Sequence, residues 1–174
     1  MAASESQQAQ LIENVPHLRA FAHSLCRDAV RTDDLVQETI LKAWSSFDKF
    51  EQGTNMRAWL FTILRNTFYS EHRKGRREVE DVDGLYAAQV VQPPQQQGML
   101  ARRDFEQAFA TLPADQREAL TLVGASGLSY EDAAVVCEVA VGTMKSRVNR
   151  ARERLSALLS EDQAEDAPES SPAE

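Results

Sequence analysis

Basic residues are concentrated in two short stretches of an otherwise acidic chain. The 174 residues carry a formal net charge of −8, and the last fourteen contain six acids and no base. Without that tail the net charge is −2, and lysine and arginine cluster at 65–77 and at 145–154. These side chains bind DNA phosphates and donate hydrogen bonds to guanine. Two separate clusters predict two contacts with one polyanion rather than a nonspecific coat.

The second cluster lies in "SYEDAAVVCEVAVGTMKSRVNRARERL", which has the pattern of a helix-turn-helix. Ser129 can cap a first helix with an apolar inner face, and residues 138–140 form a short turn. A second helix then keeps one apolar stripe: Met144, Val148, Ala151 and Leu155. The side chains between them that would meet bases in the major groove are Thr143, Lys145, Ser146, Asn149 and Arg150. Those expected to hold phosphates are Arg147, Arg152 and Arg154. The alternative is a solvated basic face on a surface helix.

The first basic cluster lies at the C-terminal end of the clearest helical pattern in the chain. This pattern is an apolar stripe from Met56 to Phe68, which we expect to be buried in the core. The opposite face suits unstacked single-stranded DNA, because aromatic rings and guanidinium groups stack on bases. Its residues are Arg57, Phe61, Arg65, Asn66, Tyr69 and Arg73. A basic patch for phosphates continues from Arg73 through Lys74, Arg76 and Arg77. In the alternative, Asn66 is an exposed helix asparagine and the patch is only a helix terminus favoured by its dipole.

Helical periodicity dominates, and no run alternates apolar and polar residues as a half-buried strand would, so the predicted class is all-α. We expect two small helical domains, at 8–77 and 98–160. The acids and "QPPQQQG" of 78–97 predict a flexible linker, and 161–174 predicts a disordered acidic tail. Thr32 or Asp33 is expected to cap a helix from Asp34 to Phe47. Gly127 is expected to close a helix that runs from Asp115 to Ala125.

Four segments carry a resemblance to bacterial extracytoplasmic-function sigma factors. "LPADQREALTLVGASGLSYEDAA" and "VAVGTMKSRVNRARERL" resemble region 4, which reads the −35 promoter element. One departure is Glu138, where such turns usually carry glycine; at positive φ a side chain costs about 1 kcal/mol. "DDLVQETILKAW" resembles region 2.2, which docks on the clamp helices of the largest RNA polymerase subunit. "FDKFEQGTNMRAWLFTILRNTFYSEHRKGRR" resembles regions 2.3 and 2.4, which recognise and open the −10 element.

The resemblance implies a sigma factor with a region 2 bundle and a region 4 helix-turn-helix, whose partners are promoter DNA and the clamp helices and flap region of core RNA polymerase. The residues that would project toward the clamp are Asp34, Gln37, Glu38 and Leu41, although an ordinary amphipathic helix has the same pattern. A captured base would occupy a pocket formed by Asn66 and the loop residues Phe50, Gly53, Thr54 and Asn55. The stretch "FEQGTNMRAWLFTILRNTFYSEHRKGRREVEDVDG" is similar to the EcfG-type general-stress-response sigma factors of alphaproteobacteria. That likeness implies inhibition by a small anti-sigma factor of the NepR type and release by a PhyR-type response regulator.

No catalytic or metal-binding set accompanies these surfaces in the sequence. The chain has no Gly-rich phosphate loop and no nucleophile beside a base, and Cys26, Cys137 and His23 do not make a metal-ligand set. We therefore expect no enzyme activity and no cofactor. The polar first ten residues and the lack of a long apolar run predict a cytoplasmic protein without membrane contact.

Two other functions stay open at this point. One is a sigma-like decoy that binds an anti-sigma protein without DNA, and the other is a stand-alone helix-turn-helix regulator. The retained basic residues disfavour the first, and the second leaves the N-terminal domain unexplained. The predicted linker would also allow a compact, DNA-incompetent arrangement of the free protein and an extended one on polymerase.

Overall fold

The computed structural model describes the backbone of residues 5–79 and 97–165 and the side chains of 5–74 and 102–160. The described residues form seven α-helices, a 3-10 turn and a π turn and contain no strand, which confirms the all-α prediction. Most of the predicted linker and most of the predicted tail lie outside the described residues.

The first half of the chain is a three-helix bundle. It consists of α1 (Glu5–Cys26), α2 (Ala29–Ser45), the 3-10 turn Phe47–Lys49 and α3 (Met56–Val79). All three helices pack against one another. Their inner faces bury large apolar side chains, among them Leu18, Phe21, Leu35, Leu60 and Leu64. The stripe predicted from Met56 to Phe68 therefore supplies core, as expected.

The second half places one long helix against three shorter ones. These are α4 (Gln97–Thr111), α5 (Ala114–Leu120), α6 (Tyr130–Cys137) and α7 (Val141–Glu165). α7 packs on the other three through the predicted stripe, since Met144, Val148, Ala151 and Leu155 are all buried. Ser129 caps α6 by accepting a hydrogen bond from the backbone N–H of Asp132 at 3.0 Å. α6 and α7 form the predicted helix-turn-helix, with the turn at 138–140.

The start of α2 differs from the prediction. The helix begins at Ala29, capped by Asp28, whose Oδ1 accepts from the backbone N–H of Arg31 at 2.8 Å. Arg27, at φ 56°, turns the chain directly after α1, so the next helix begins at Ala29 rather than at the expected Asp34. Thr32 lies inside the helix, and its hydroxyl donates to the carbonyl of Asp28 at 2.6 Å. The capping role predicted for Thr32 or Asp33 is therefore wrong, because Asp28 is an equally good cap.

The helix predicted from Asp115 to Ala125 also ends differently. α5 stops at Leu120, and Thr121–Ala125 widens into a π turn. The turn closes with a hydrogen bond from the N–H of Ser126 to the carbonyl of Thr121, five residues earlier, at 2.9 Å. Gly127 follows at φ 68°, a conformation that favours glycine and ends the segment as predicted.

The two halves pack against each other in this structure. One apolar cluster runs from Leu11 in α1 to Val148 in α7. α3 lies on α6, and α1 contacts both α5 and the π turn. The guanidinium Nε of Arg117 in α5 donates to the carbonyl of Ser24 in α1 at 2.9 Å. The helix that carries the first basic cluster is thus covered along one side by the second half of the chain.

Candidate nucleic-acid interfaces

The outer face of α7 is open to solvent along its first four turns. Its exposed basic and neutral polar residues are Thr143, Lys145, Asn149, Arg150, Arg152 and Arg154, and Glu153 is an exposed acid among them. Donors of this kind, repeated along the N-terminal half of the second helix of a helix-turn-helix, match the base edges and phosphates of a major groove. The amine of Lys145 lies 5.8 Å above the ring of Tyr130, a contact that steers the side chain without burying it. The face is therefore available to duplex DNA.

Two residues predicted to bind DNA on this face, Arg147 and Ser146, make side-chain contacts within their own domain. Arg147 is half-buried, and its Nε lies 3.3 Å from the Asp115 carboxylate. The hydroxyl of Ser146 donates to the carbonyl of Thr143 at 2.9 Å. Arg147 therefore holds α7 to α5, which makes it a positioning residue in this structure.

The turn between α6 and α7 adopts the conformation that its sequence disfavours. Glu138 has φ 56° and ψ 44°, the left-handed region in which glycine is usual. Its backbone N–H donates toward the carbonyls of Ala134 and Val135 and ends α6. The strain anticipated for a side chain at this position is therefore present, and the motif retains its geometry.

One face of α3 meets the second half of the chain through polar contacts. Asn55 Nδ2 donates to Asp132 Oδ2 at 2.8 Å, and Arg57 Nη1 donates to the carbonyl of Ser126 at 2.7 Å. Further along the helix, the Nε of Arg65 donates to the Glu118 carboxylate at 2.6 Å. Residues predicted to contact the −10 element thus have oxygen partners in the second domain.

The contact between Arg65 and Glu118 is the most deeply buried ion pair among the described residues, with 17% and 2% of the side chains exposed. Desolvation raises the pKa of the Glu118 carboxyl, and the attraction of Arg65 offsets this effect only in part. Burial alone would lower the pKa of Arg65, but the Glu118 carboxylate beside it raises that pKa overall. The guanidinium carbon of Arg65 also lies 4.8 Å from the ring centre of Tyr69, whose pKa is raised by burial and by Glu118.

The other face of α3 opens into a cavity of about 350 Å³ between α2, the 3-10 turn and α3. Its lining residues are Lys42, Ser46, Lys49, Trp59, Ile63, Asn66, Thr67 and Ser70. The volume suits a nucleotide-sized group, and an aromatic wall, an amide and two amines provide stacking, base-edge and phosphate contacts. Asn66 is exposed at its rim, away from the face that the second domain covers.

Sequence reasoning missed most of this cavity. Trp59 was assigned to the core, and Lys42 and Lys49 were not singled out. Lys42 lies one turn after Glu38, and its amine is 2.6 Å from that carboxylate and 3.1 Å from the hydroxyl of Thr67. The sequence position of Lys49 could have indicated its role, because this residue directly precedes the loop that the resemblance assigns to base capture.

The loop predicted to form the base pocket lies beside the cavity. The ring of Phe50 packs on Trp59 at 5.2 Å between centroids. Gly53 takes φ 90°, and the Thr54 hydroxyl donates to the carbonyl of Glu51 at 2.7 Å. Asn55 Oδ1 accepts from the N–H of Arg57 at 3.1 Å and so caps α3. The loop therefore contributes its backbone shape and Phe50 to the edge of the site.

The remaining predicted −10 residues fall into three groups. Arg73 and Lys74 are exposed at the end of the described side chains, and the side chains of Arg76 and Arg77 lie outside them. The prediction that Phe61 lies on an exposed face is wrong. Its ring is fully buried and packs on Phe21 of α1 at 5.0 Å, because the helix turns this position into the bundle.

The outer face of α2 carries an exposed apolar stripe among polar residues. Leu41 is 70% exposed and Trp44 is 49% exposed, and Asp34 and Gln37 are exposed on the same side. Glu38 is half-buried and paired with Lys42. Trp44 continues the stripe from Gln37 and Leu41 at helical spacing and therefore lies on the exposed side of α2. A surface of this composition is suited to docking on another protein.

A second, larger groove of about 700 Å³ lies at the junction of the two halves. α1 supplies Ala20, His23 and Ser24, whereas α4 and α7 supply mainly apolar walls that include Phe105, Phe109 and Leu159. Phe105 is 44% exposed and stacks on Phe109 at 5.9 Å. Because both halves contribute walls, the groove depends on the compact arrangement.

Residues 11–78 match the family model of sigma-70 region 2, and residues 102–155 match that of sigma-70 region 4. The chain is 58% identical over 166 residues to the ECF RNA polymerase sigma factor EcfG of Rhodopseudomonas palustris, which covers 95% of this chain and 92% of that protein. This chain is an extracytoplasmic-function sigma factor. Members of this family direct core RNA polymerase to promoters and are not themselves catalysts, so the surfaces described above belong to a transcription initiation factor.

Solved structures show the same architecture. The sigma factor RpoE of Bartonella quintana, in complex with the anti-sigma factor NepR, aligns with a TM-score of 0.81 at 53% identity and covers 90% of this chain and 98% of its own. The PhyRSL–NepR complex of Sphingomonas sp. Fr1 aligns with a TM-score of 0.64 at 22% identity, covering 95% and 96%. The latter likeness is one of fold.

None of the helices in the described part of the chain has the length and hydropathy needed to span a membrane. Among the same residues, no cluster of three or more His, Cys, Asp and Glu side chains could hold a metal ion.

Proposed function

We propose that this sigma factor divides promoter reading between its domains as their surfaces suggest. The domain at 98–160 reads the −35 element with the outer face of α7, through Thr143, Lys145, Asn149 and Arg150, while Arg152 and Arg154 hold phosphates. The observation that supports this most strongly is the basic, solvent-open face on a helix whose inner stripe is fully committed to its own domain. Such a face has no packing role to explain it.

The domain at 8–77 opens and holds the −10 element. Asn66 and the cavity beside it receive an unstacked base, with Trp59 as a wall and Phe50 and the 51–55 loop at the edge. Arg73 and Lys74 meet the upstream phosphates, together with Arg76 and Arg77. Arg57, Arg65 and Tyr69 join this surface when the second domain moves away. Core polymerase docks by its clamp helices on Asp34, Gln37, Leu41 and Trp44, with Glu38 at the border, and by its flap region on the second domain.

The regulation proposed for this chain is based on its similarity to other sigma factors. We propose that a small anti-sigma factor of the NepR type inhibits this chain, and that a PhyR-type response regulator releases it during a general stress response in the cytoplasm. The mixed groove between α1, α4 and α7 is the surface proposed for an amphipathic segment of the inhibitor, because its apolar walls come from both domains and bridging them would hold the domains together. The chain performs no covalent chemistry of its own.

The proposal is tested by adding the purified protein to sigma-free bacterial core polymerase on a library of promoter DNA. We expect specific transcripts whose templates share elements near −35 and −10. A folded protein that yields no transcript and binds neither core enzyme nor DNA at low salt would instead be a decoy for an anti-sigma factor. Tight duplex binding without polymerase would favour a stand-alone helix-turn-helix regulator.

The inhibitor groove is tested separately with Phe105→Glu, which places a charge on an exposed groove wall. Arg103→Glu, on the same helix but outside the groove, is the matched control. We expect Phe105→Glu alone to lose binding of the anti-sigma factor while keeping promoter-specific initiation. Unchanged inhibitor binding in Phe105→Glu would remove this groove from the proposal.

A further inference from the structure

Lys42 is held at the wall of the cavity between α2 and α3 by two oxygen atoms. It lies in the last turn of α2, and its Nζ is 2.6 Å from the Glu38 carboxylate and donates to the Thr67 hydroxyl at 3.1 Å. Glu38 is four residues earlier on the same helix, a spacing at which helical side chains meet, and Thr67 is on α3. One partner on each helix therefore fixes the position of the amine.

These two contacts leave part of the donor capacity of Lys42 unused. An ammonium group has three N–H donors and no acceptor, and the Glu38 and Thr67 oxygens receive two of the three. The side chain of Lys42 is 47% exposed, and the residue lines the cavity. The third N–H is therefore available to an acceptor that enters the cavity.

The charge of Lys42 is balanced by Glu38. The hydrogen bond from Lys42 lowers the pKa of the Glu38 carboxyl, and a second hydrogen bond from Glu71 on α3 acts in the same direction. Burial and the neighbouring Glu38 raise the pKa of the Glu71 carboxyl, so Glu38 is the ionised member of this pair of acids. Because Lys42 and Glu38 together carry no net charge, the amine suits a directional hydrogen bond to a neutral acceptor better than the general attraction of a phosphate.

Lys49 differs from Lys42 in this respect. It belongs to the 3-10 turn and lines the same cavity, but its amine forms no ion pair with any of the described residues. Its unbalanced charge suits a backbone phosphate beside the captured nucleotide. The two lysines are thus suited to different parts of one nucleotide, the base for Lys42 and the phosphate for Lys49.

An amine that can only donate distinguishes bases by their exocyclic groups. Guanine O6 and thymine O4 are acceptors, whereas adenine and cytosine carry amino donors, N6 and N4, at the corresponding edge. A carbonyl accepts from the lysine, but an amino group faces it donor to donor and leaves both groups unpaired. No acidic side chain that would accept from such an amino group is among the described residues that line the cavity.

We propose that Lys42 is a specificity-determining residue of the −10 site, which favours a captured base that carries a carbonyl where adenine and cytosine carry an amino group. Glu38 and Thr67 are the positioning residues of this amine. The inference rests on the proposed capture of an unstacked base in this cavity. It gives Glu38 a role at the −10 site in addition to its place at the border of the polymerase-docking surface.

The test uses holoenzyme, assembled from core polymerase and this sigma factor, and single strands that carry its −10 element. An abasic scan locates the captured position as the one at which removal of the base weakens binding most. Two matched pairs of bases are then placed there, hypoxanthine with adenine and thymine with 5-methylcytosine, which differ at the exocyclic group and the ring nitrogen beside it. We expect the wild type to bind the carbonyl member of each pair about tenfold more tightly, as measured by fluorescence anisotropy.

The variants separate the base contact from general charge. Lys42→Met removes the donors and is expected to bind both members of each pair about equally, whereas Lys42→Arg supplies donors again and is expected to restore the preference. Glu38→Gln keeps the amine but loosens its position, so its ratio is expected to lie between those of the wild type and Lys42→Met. Lys49→Met is the contrasting variant, expected to weaken binding of all strands while keeping the ratio. A ratio of affinities does not depend on how much holoenzyme forms.

Equal binding of both members of each pair by the wild type would overturn the inference, and so would an unchanged ratio in Lys42→Met. Weaker binding of all strands in proportion would assign the Lys42 amine to a phosphate and would overturn it as well. In each of these cases the wild-type holoenzyme still initiates on its promoters, whereas a failure of the proposed function would leave no initiation at all.

Discussion

The faces of α7 and α3 that are proposed to bind DNA have similar chemistry but differ in their exposure to solvent. Each is a basic face opposite an apolar stripe, yet Lys145 and Arg150 are exposed whereas Arg65 is held by a buried acid of the other domain. The acids that face α7 and α3 reach different residues. Asp115 pairs with the half-buried Arg147 and leaves Lys145 and Arg150 exposed, whereas Glu118 and Asp132 pair with Arg65 and Asn55 at α3. An amphipathic pattern therefore identifies the side chains that lie outside the core of their own domain. It does not show whether another domain contacts them.

The largest effect is expected from breaking the open face. Lys145→Ala combined with Arg150→Ala removes two donors to bases or phosphates at about 1–3 kcal/mol each, so binding to −35 duplex DNA falls by roughly 100-fold. Electrophoretic mobility shift with −35 duplex and with scrambled duplex measures the loss. Arg102→Ala combined with Arg103→Ala is the charge-matched control on α4. Equal losses in both variants would mean that α7 contributes only general charge.

The next largest effect concerns how the covered face protects a thiol. Burial raises the pKa of Cys137 to about 12, with the Glu118 carboxylate adding to the shift and the charges of Arg65 and Arg147 opposing it. Because the thiolate is the reactive form, alkylation of Cys137 near pH 8 is expected to be at least tenfold slower than that of the half-buried Cys26. Mass spectrometry of iodoacetamide-treated protein gives both rates.

Raising the pH increases the thiolate fraction and therefore the rate at both cysteines. Glu118→Gln is expected to accelerate alkylation of Cys137 several-fold while leaving that of Cys26 unchanged, because the Glu118 carboxylate acts on the Cys137 thiol and not on the Cys26 thiol. Equal acceleration at both sites would indicate general unfolding rather than domain opening.

The open side of α3 offers a smaller, more selective change. Asn66→Ala removes the amide at the rim of the cavity and is expected to slow promoter opening about tenfold, which corresponds to roughly 1.4 kcal/mol. Permanganate footprinting of the −10 region with core polymerase reports opening. Binding of −35 duplex DNA is expected to stay the same, and Gln107→Ala, an exposed amide on α4, is the control. Normal opening by Asn66→Ala would make Asn66 a surface asparagine without a role in base capture.

The smallest expected effect is on stability and leaves both faces unchanged. Glu138→Gly relieves the left-handed backbone of the turn, which we expect to raise the free energy of unfolding by about 0.5–1 kcal/mol. Urea denaturation monitored by circular dichroism measures the change, and Ala140→Gly in the same turn, outside the left-handed region, is the control. A destabilised Glu138→Gly would show that the glutamate side chain contributes more than its backbone strain costs.

The sequence predicted most of what is local in this structure. The stripes of α3 and α7, the turn at 138–140 and the positive φ of Gly127 all follow from periodicity and turn chemistry within short windows. The local mispredictions occur where two alternatives have similar free energies. Asp28 rather than Thr32 caps α2, and a π turn rather than a continued α-helix follows α5.

What could not be predicted depends on contacts between distant residues. In the sequence, Glu118 is indistinguishable from any acidic residue of an amphipathic helix. Its partner Arg65 lies 53 positions away in the chain, so the local pattern does not predict the pair. The same holds for Trp59, which belongs to the core stripe by spacing but lines the cavity because α2 and the 3-10 turn leave a gap beside it. Tertiary packing, rather than helix pattern, determines these two features.

The most direct test of the account measures the distance between the two domains. Exposed positions Ser45 and Ala157, changed to cysteine in a protein that lacks Cys26 and Cys137, carry a fluorescent donor and acceptor for energy transfer. We predict a short separation in the free protein, a longer one when core polymerase is added, and a partial increase in free Glu118→Gln. A separation that is the same in the free and polymerase-bound protein would contradict the claim that the second domain must leave α3 before the −10 element is read.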